Sequence, residues 1–100
     1  MAAQSVNHKT GVVIGTGALL NVKGDKCGFK PSAVRILNVT DGSFHFWQDT
    51  MADDSTVEQK GGTTAVRTSG GIIPLSDGFS IGTQSNLNAN LDVLHFECWG

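Results

Sequence analysis

The 100-residue chain alternates short apolar runs with turn-forming residues, a pattern typical of β-strands joined by tight turns. Residues 33–39 are rich in β-branched side chains and form the clearest predicted strand. The Asp41-Gly42 pair that follows favours a hairpin turn, because both residue types tolerate positive φ. The chain then returns as a second predicted strand over residues 44–48, in which alternation places Phe44 and Phe46 on one face and His45 and Trp47 on the other.

The same pattern extends to both sides of this hairpin. Further strands are predicted at residues 63–68, 72–75, 79–82 and 91–99. In the last of these, Leu94, Phe96 and Cys98 share the predicted buried face. Two apolar runs within residues 11–23 indicate a bent strand, a bulge or a hairpin. Residues 49–62 are polar and have the Ser and Glu spacing of a capping box, which favours a short helical turn or a mobile loop.

These runs amount to about seven to eight short strands. The predicted fold is therefore all-β, a compact antiparallel β-sandwich of the jelly-roll or immunoglobulin-like kind. The length fits one domain, and the 13 glycines suit tight turns better than long helices. Residues 1–10 are polar without a sustained period, so they are predicted to be a flexible N-terminal arm, and residues 11–100 are predicted to form the sandwich domain.

Charge and cysteine content narrow the classes of partner. Seven Lys and Arg residues against nine Asp and Glu residues give a net charge of -2, which offers no electrostatic basis for binding nucleic acid or an acidic membrane. Residues 1–10 lack the apolar core of a signal peptide, so we expect synthesis and folding in the cytosol. In that reducing compartment we expect Cys27 and Cys98 to remain thiols, although the sequence leaves their pairing open.

No catalytic constellation is recognisable in the sequence. The three histidines, His8, His45 and His95, are scattered without the spacing of metal ligands, which favours surface or interface roles. Strand alternation places Glu97 and the Cys98 thiol on opposite faces, and the G-x-S-x-G elbow of serine hydrolases is absent. We therefore predict a protein without enzymatic activity, with no catalytic residues, no cofactor and no metal.

The two tryptophans are the main candidates for contacts with other molecules. Trp47 and Trp99 are suited either to the core or to a surface that binds a sugar or another subunit, because large aromatic side chains carry much of the energy of such surfaces. The position of Trp99 favours burial that pins the C-terminal strand. The predicted protein-interaction residues are Val6, His8, His45, Trp47 and Trp99.

Two motifs in residues 28–99 carry a family resemblance. The first, G-F-x-P-x-x-V-x-I-x-N, is matched by Gly28, Phe29, Pro31, Val34, Ile36 and Asn38. The second, S-G-G-I-x-P-x-x-x-G-F-x-I-G, is matched by Ser69, Gly70, Gly71, Ile72, Pro74, Gly78, Phe79, Ile81 and Gly82, followed by Asn88 and the strand through Phe96. In these motifs the chain resembles a group of small structural proteins of tailed bacteriophages.

The resemblance implies a component of the virion. It implies a capsid decoration (cement) protein, made in the host cytoplasm, that binds the major capsid protein of an assembled shell as a dimer or trimer and stabilises it. Residues 1–10 would then be an arm that clamps neighbouring capsomers. The alternative is a carbohydrate- or receptor-binding module of a tail appendage, with Trp47 as its platform, and it requires Trp47 to be exposed.

Overall fold

The strands of the protein form one antiparallel sheet in the computed structural model, which describes residues 7–84 and 86–100. The strands are β1 (His8–Ile14), β2 (Leu20–Lys23), β3 (Ala33–Asn38), β4 (Ser43–Gln48), β5 (Ser55–Lys60), β6 (Thr63–Leu75), β7 (Gly78–Ile81) and β8 (Val93–Trp99), with one 3₁₀ turn at Gly24–Lys26. Their order across the sheet is β1-β8-β3-β4-β5-β6-β7-β2. The all-β prediction is confirmed. No helix of the described residues has the length and apolar character needed to cross a membrane.

The predicted sandwich differs from the observed architecture, which is a single curled sheet. Backbone pairing runs without a break from β1 to β2, so the described strands do not divide into two hydrogen-bonded layers. The curl nevertheless brings distant strands face to face. The rings of Phe79 in β7 and Phe96 in β8 accordingly lie 5.8 Å apart in an edge-to-face arrangement. Apolar side chains from strands near both ends of the sheet order therefore meet in one core, as they would in a sandwich.

The core is made by the inward side chains of nearly every strand. Val34 and Ile36 of β3 lie beside Cys98 and Phe96 of β8 in register, and all four are buried. The predicted buried face of residues 91–99 is thereby confirmed. The buried apolar residues are Val13, Val22, Cys27, Val34, Ile36, Trp47, Ile72, Phe79, Ile81, Leu87, Leu94, Phe96 and Cys98.

The sheet begins earlier in the chain than the predicted domain boundary at residue 11. β1 begins at His8, and its backbone pairs with β8 from His8 opposite Trp99 onwards. The last three residues of the predicted arm, residues 8–10, therefore belong to the sheet. Their polar side chains do not prevent this, because backbone N–H and C=O groups pair with β8 whatever the side chains are. Residues 1–6, including Val6, lie outside the described residues.

Residues 49–62, predicted to form a short helical turn or a mobile loop, contain a strand instead. β5 pairs with both β4 and β6, and its inward side chains are the polar Thr56 and Glu58. Each has a partner inside the fold: Thr56 Oγ1 donates to Gln84 Oε1 at 3.0 Å, and Arg67 Nη2 donates to Glu58 Oε2 at 3.1 Å. Because these inward positions are polar, the strand has no hydrophobic alternation to reveal it.

Strands β1 and β2 lie at opposite edges of the sheet, so the hairpin interpretation of residues 11–23 is wrong. The segment between them is held by the buried side chain of Asn88. Asn88 Oδ1 accepts from the backbone N–H of Thr16 at 2.9 Å, and Asn88 Nδ2 donates to the carbonyls of Ala18 at 2.6 Å and Gly82 at 3.1 Å. One amide thus joins the β1–β2 connection to the end of β7.

Candidate interaction surface

The outer face, which we define as the solvent-facing side of β1, β8, β3 and β4, is largely apolar. Val12, His95, Leu37 and Phe44 lie side by side across these four strands in register. Val12 is 52% exposed and Leu37 is 44% exposed, and Ile14 adds a further half-exposed aliphatic side chain. Several exposed apolar side chains on neighbouring strands of a small protein are typical of a surface that meets another macromolecule.

A carboxylate at the centre of the outer face organises its charged groups. Glu97 Oε2 accepts from His8 Nε2 at 2.7 Å, and Glu97 Oε1 accepts from Arg35 Nη2 at 2.8 Å. The hydrogen bond from His8, together with the positive charge of Arg35, holds the pKa of Glu97 below its usual value. Glu97 thereby joins β1, β8 and β3 through side chains in addition to their backbone pairing.

Aromatic rings surround this ion pair. The Arg35 guanidinium lies 5.5 Å from the ring centroid of Phe44 and 5.8 Å from that of Trp99. Trp99 in turn stacks on the His8 ring, with centroids 5.5 Å apart. We refer to His8, Arg35, Phe44, Glu97 and Trp99 as the Arg35 cluster. Arginine and aromatic residues are enriched at the centres of protein interfaces, and side chains already ordered in the free protein lose less entropy on binding.

A shallow pocket of about 410 Å³ opens on the outer face beside the Arg35 cluster. Its side chains combine aliphatic, aromatic and charged groups, among them Val12, Arg35, Leu37, Phe44 and Glu97. Gly11 lines it as well, and a Cβ at that position would come within 2.7 Å of the Phe96 ring. A protruding side chain of a partner with both apolar and polar atoms would find matching groups there.

His45, predicted to contact a partner, is fully buried in the described chain. Its Nε2 lies 2.9 Å from Ser43 Oγ and 3.0 Å from the carbonyl oxygen of Asn86. Because a carbonyl only accepts, Nε2 carries the ring proton. The imidazole therefore serves as an internal donor that fixes the Asn86 turn against β4.

The opposite nitrogen of His45 faces Glu58 without a hydrogen bond. The Nδ1 to Oε1 distance is 3.9 Å, and Nδ1 has no other partner in the described chain. Burial lowers the pKa of His45 despite the nearby carboxylate. Burial also raises the pKa of Glu58, but hydrogen bonds from Arg67 and Asn86 outweigh it and bring the net pKa below the usual value. His45 is thus a neutral imidazole beside the Glu58 carboxylate, and Arg67 balances the negative charge of that carboxylate.

Three neighbouring residues have the side-chain types of a serine-hydrolase triad, namely Ser43, His45 and Glu58. Their hydrogen bonds, however, differ from those of a catalytic triad. Ser43 Oγ donates its proton to the Asn86 carbonyl at 2.8 Å, and His45 Nε2 is already protonated. A general base would have to accept the serine proton at Nε2, and the Ser43 oxygen is buried. We interpret these three residues as a structural polar cluster.

Trp47, the second predicted interaction residue of β4, is also in the core. It is 1% exposed, and its Nε1 donates to the Ala52 carbonyl at 3.2 Å. The predicted alternation is right, because His45 and Trp47 share a face, but that face points inward. Phe44 and Phe46 are the half-exposed aromatics instead.

Among the four predicted interaction residues that lie within the described chain, only His8 and Trp99 come together on one surface. The sequence analysis missed Val12, Arg35, Leu37 and Phe44 as surface residues. Alternation within β3 could have indicated two of them, since Arg35 and Leu37 are out of phase with Val34 and Ile36. Within the ranges 7–84 and 86–100, no group of three or more His, Cys, Asp or Glu side chains could hold a metal ion. The chain matches no protein family, no curated protein and no solved structure in the comparisons made.

Proposed function

We propose that the protein is a non-enzymatic structural component of a bacteriophage virion, a capsid decoration protein that binds the assembled shell as a small oligomer and stabilises it. The observation that carries the proposal is the apolar outer face with the Arg35 cluster at its centre. The motif resemblance to small structural proteins of tailed phages supports the choice of partner.

The proposed mechanism is adhesion by a rigid surface. Binding through the outer face requires no cleft and no moving part, only side chains held in place before contact. Glu97 fixes His8 and Arg35, and both rest on Trp99. If each copy binds weakly, a dimer or trimer that engages several capsomers at once gains overall avidity of roughly a hundredfold or more.

The carbohydrate-binding alternative required an exposed Trp47 ring on which a sugar could stack. A sugar stacks on an open aromatic face, whereas Trp47 is enclosed in the core. Trp99 is half-buried, and its ring contacts both His8 and Arg35. No observation of the described residues favours this second function.

The test is binding of the purified protein to phage capsids assembled without it. We expect the protein to co-sediment with the particles and to raise the temperature at which they disrupt. Leu37→Asp places a charge in the middle of the outer face and should reduce binding at least about tenfold, since a desolvated unpaired charge is costly.

Leu91→Asp provides the matched control, because Leu91 is 74% exposed and lies outside the outer face, in the turn before β8. This variant should bind like the wild type. The proposal fails if the wild-type protein does not co-sediment, or if Leu37→Asp with an unchanged melting temperature binds as well as Leu91→Asp.

The arm hypothesis now applies to residues 1–6. Deleting them leaves β1 whole, so the melting temperature should stay the same, while attachment to capsids should weaken. Equal binding of the shortened and full-length chains would remove the arm from the proposal without affecting the role of the outer face.

A further inference from the structure

Two free cysteines face each other in the core. Cys27 Sγ and Cys98 Sγ lie 3.4 Å apart, and both residues are buried. The two residues are separated by 71 positions in the sequence, so their meeting is a product of the tertiary fold. A short further approach of the sulfur atoms would reach bonding distance.

The place of this pair in the sheet gives it a structural role. Cys27 follows the 3₁₀ turn Gly24–Lys26, directly after β2 at one edge of the sheet. Cys98 lies on β8, paired with Lys9 of β1 and Val34 of β3 near the other edge. The thiols therefore meet across the side of the curled sheet where β1 and β2 are not paired with each other.

We propose that Cys27 and Cys98 form a site of reversible oxidation, whose disulfide locks the curled sheet closed when the protein meets an oxidising environment. The oxidant that balances the step is a disulfide such as glutathione disulfide. The Cys27 thiolate attacks one of its sulfurs and releases one glutathione thiolate. The Cys98 thiolate then attacks Cys27 Sγ and releases the second, so two protons and two electrons leave the protein.

The order of attack follows from the surroundings of each thiol. Burial and the neighbouring Cys27 raise the pKa of Cys98 to about 12, so its thiolate is scarce, and Cys98 is held within a strand paired on both sides. Cys27 lies outside the ladder, and its Sγ donates to the carbonyl of Phe29 at 3.3 Å. Transient opening of the segment after β2 exposes Cys27 first, and reclosure presents Cys98 to the mixed disulfide.

The fold and the cross-link stabilise each other. A disulfide that constrains the unfolded chain raises the stability of the fold, and by thermodynamic linkage the fold raises the stability of the disulfide by the same factor. We therefore expect the equilibrium constant for forming the disulfide to be at least about tenfold larger in the native chain than in the unfolded chain. This inference does not depend on the proposed function.

The experiment equilibrates the full chain in glutathione buffers of graded ratio, with and without denaturant, followed by acid quenching and mass spectrometry. The expected product is two hydrogens lighter than the reduced chain, with a cross-linked peptide containing Cys27 and Cys98. The buffer ratio at which half of the protein is oxidised should lie at least about tenfold further toward reducing conditions for the native chain than for the denatured chain. The oxidised protein should also melt at a higher temperature than the reduced protein.

Cys27→Ser and Cys98→Ser are the matched controls, and the melting temperature of each should no longer respond to the buffer ratio. The wild-type titration needs neither variant to fold. The inference is overturned if the native chain gives only glutathione adducts, if native and denatured midpoints coincide, or if oxidation leaves the melting temperature unchanged.

Discussion

His45 illustrates how its place in the fold sets the chemistry of a single side chain. In the sequence it is one of three isolated histidines, whereas in the structure it is buried, donates from Nε2 and leaves Nδ1 facing Glu58. Burial in this site disfavours the imidazolium form. A residue suited to an interface by its type therefore acts as a neutral internal donor, with consequences for stability at low pH.

We predict that the free energy of unfolding decreases as the pH falls below about 6.5. The ordinary pKa of histidine is 6.5 and that of folded His45 is lower, so between these values the unfolded chain binds a proton that the folded chain does not. Urea denaturation at pH 8 and pH 5.5 measures the effect. His45→Gln should flatten the dependence, whereas the same substitution at the exposed His95 should retain it. A steep dependence in both variants would contradict this assignment.

Phe96 tests the core at the scale of one ring. It is 4% exposed and packs edge-to-face on Phe79, so Phe96→Ala should lower the free energy of unfolding by about 3 to 5 kcal/mol. Phe46→Ala, on the half-exposed outward side of β4, should cost less. Chemical denaturation of both variants provides the comparison, and equal losses would show that Phe96 is not a core anchor.

At the scale of elements, the sequence predicted strands well where one face is apolar. Alternation located β3, β4 and β8, because burial on one side leaves a period of two. It missed β5, whose inward residues Thr56 and Glu58 are satisfied by partners that only the tertiary fold supplies. It also left open which face of β4 points inward, since both carry aromatic rings, and so it assigned the interface to His45 and Trp47.

Connections between elements depend on Asn88, whose buried amide hydrogen-bonds to four backbone groups. Asn88→Ala should lower the free energy of unfolding by about 3 kcal/mol, because buried donors and acceptors lose their partner. Asn90→Ala, at an exposed position two residues later, should have little effect. Thermal unfolding of both variants decides the matter, and similar melting temperatures would mean that water replaces the Asn88 amide.

At the scale of the whole molecule, the sheet order places the two ends of the described chain together. His8 pairs with Trp99, and the Gly100 N–H donates to the Asn7 carbonyl at 2.9 Å. The outer face draws its central residues from both ends of the sequence, His8 from β1 and Trp99 from β8. This long-range pairing explains why no local pattern could reveal the Arg35 cluster.

A circularly permuted chain tests that arrangement. Joining residue 100 to residue 7 through a short glycine linker, and opening the chain between Gly61 and Gly62 in the β5–β6 turn, should preserve the sheet because no paired strand is cut. Circular dichroism and cooperative thermal unfolding should resemble those of the parent. Opening the chain within β8, between His95 and Phe96, is the counterpart that should not fold cooperatively. Failure of the first permutant alone would indicate that the ends are not adjacent.

The position of β8 between β1 and β3 has a consequence for biosynthesis. A nascent polypeptide leaves the ribosome with β1 first, yet β1 has no neighbour in the ladder until residues 93–99 have been translated. The Arg35 cluster, which needs Arg35 beside Glu97 and Trp99, consequently cannot assemble before β8 has been translated. Binding through the outer face, as proposed above, therefore requires β8 to have been translated and paired with β1 and β3.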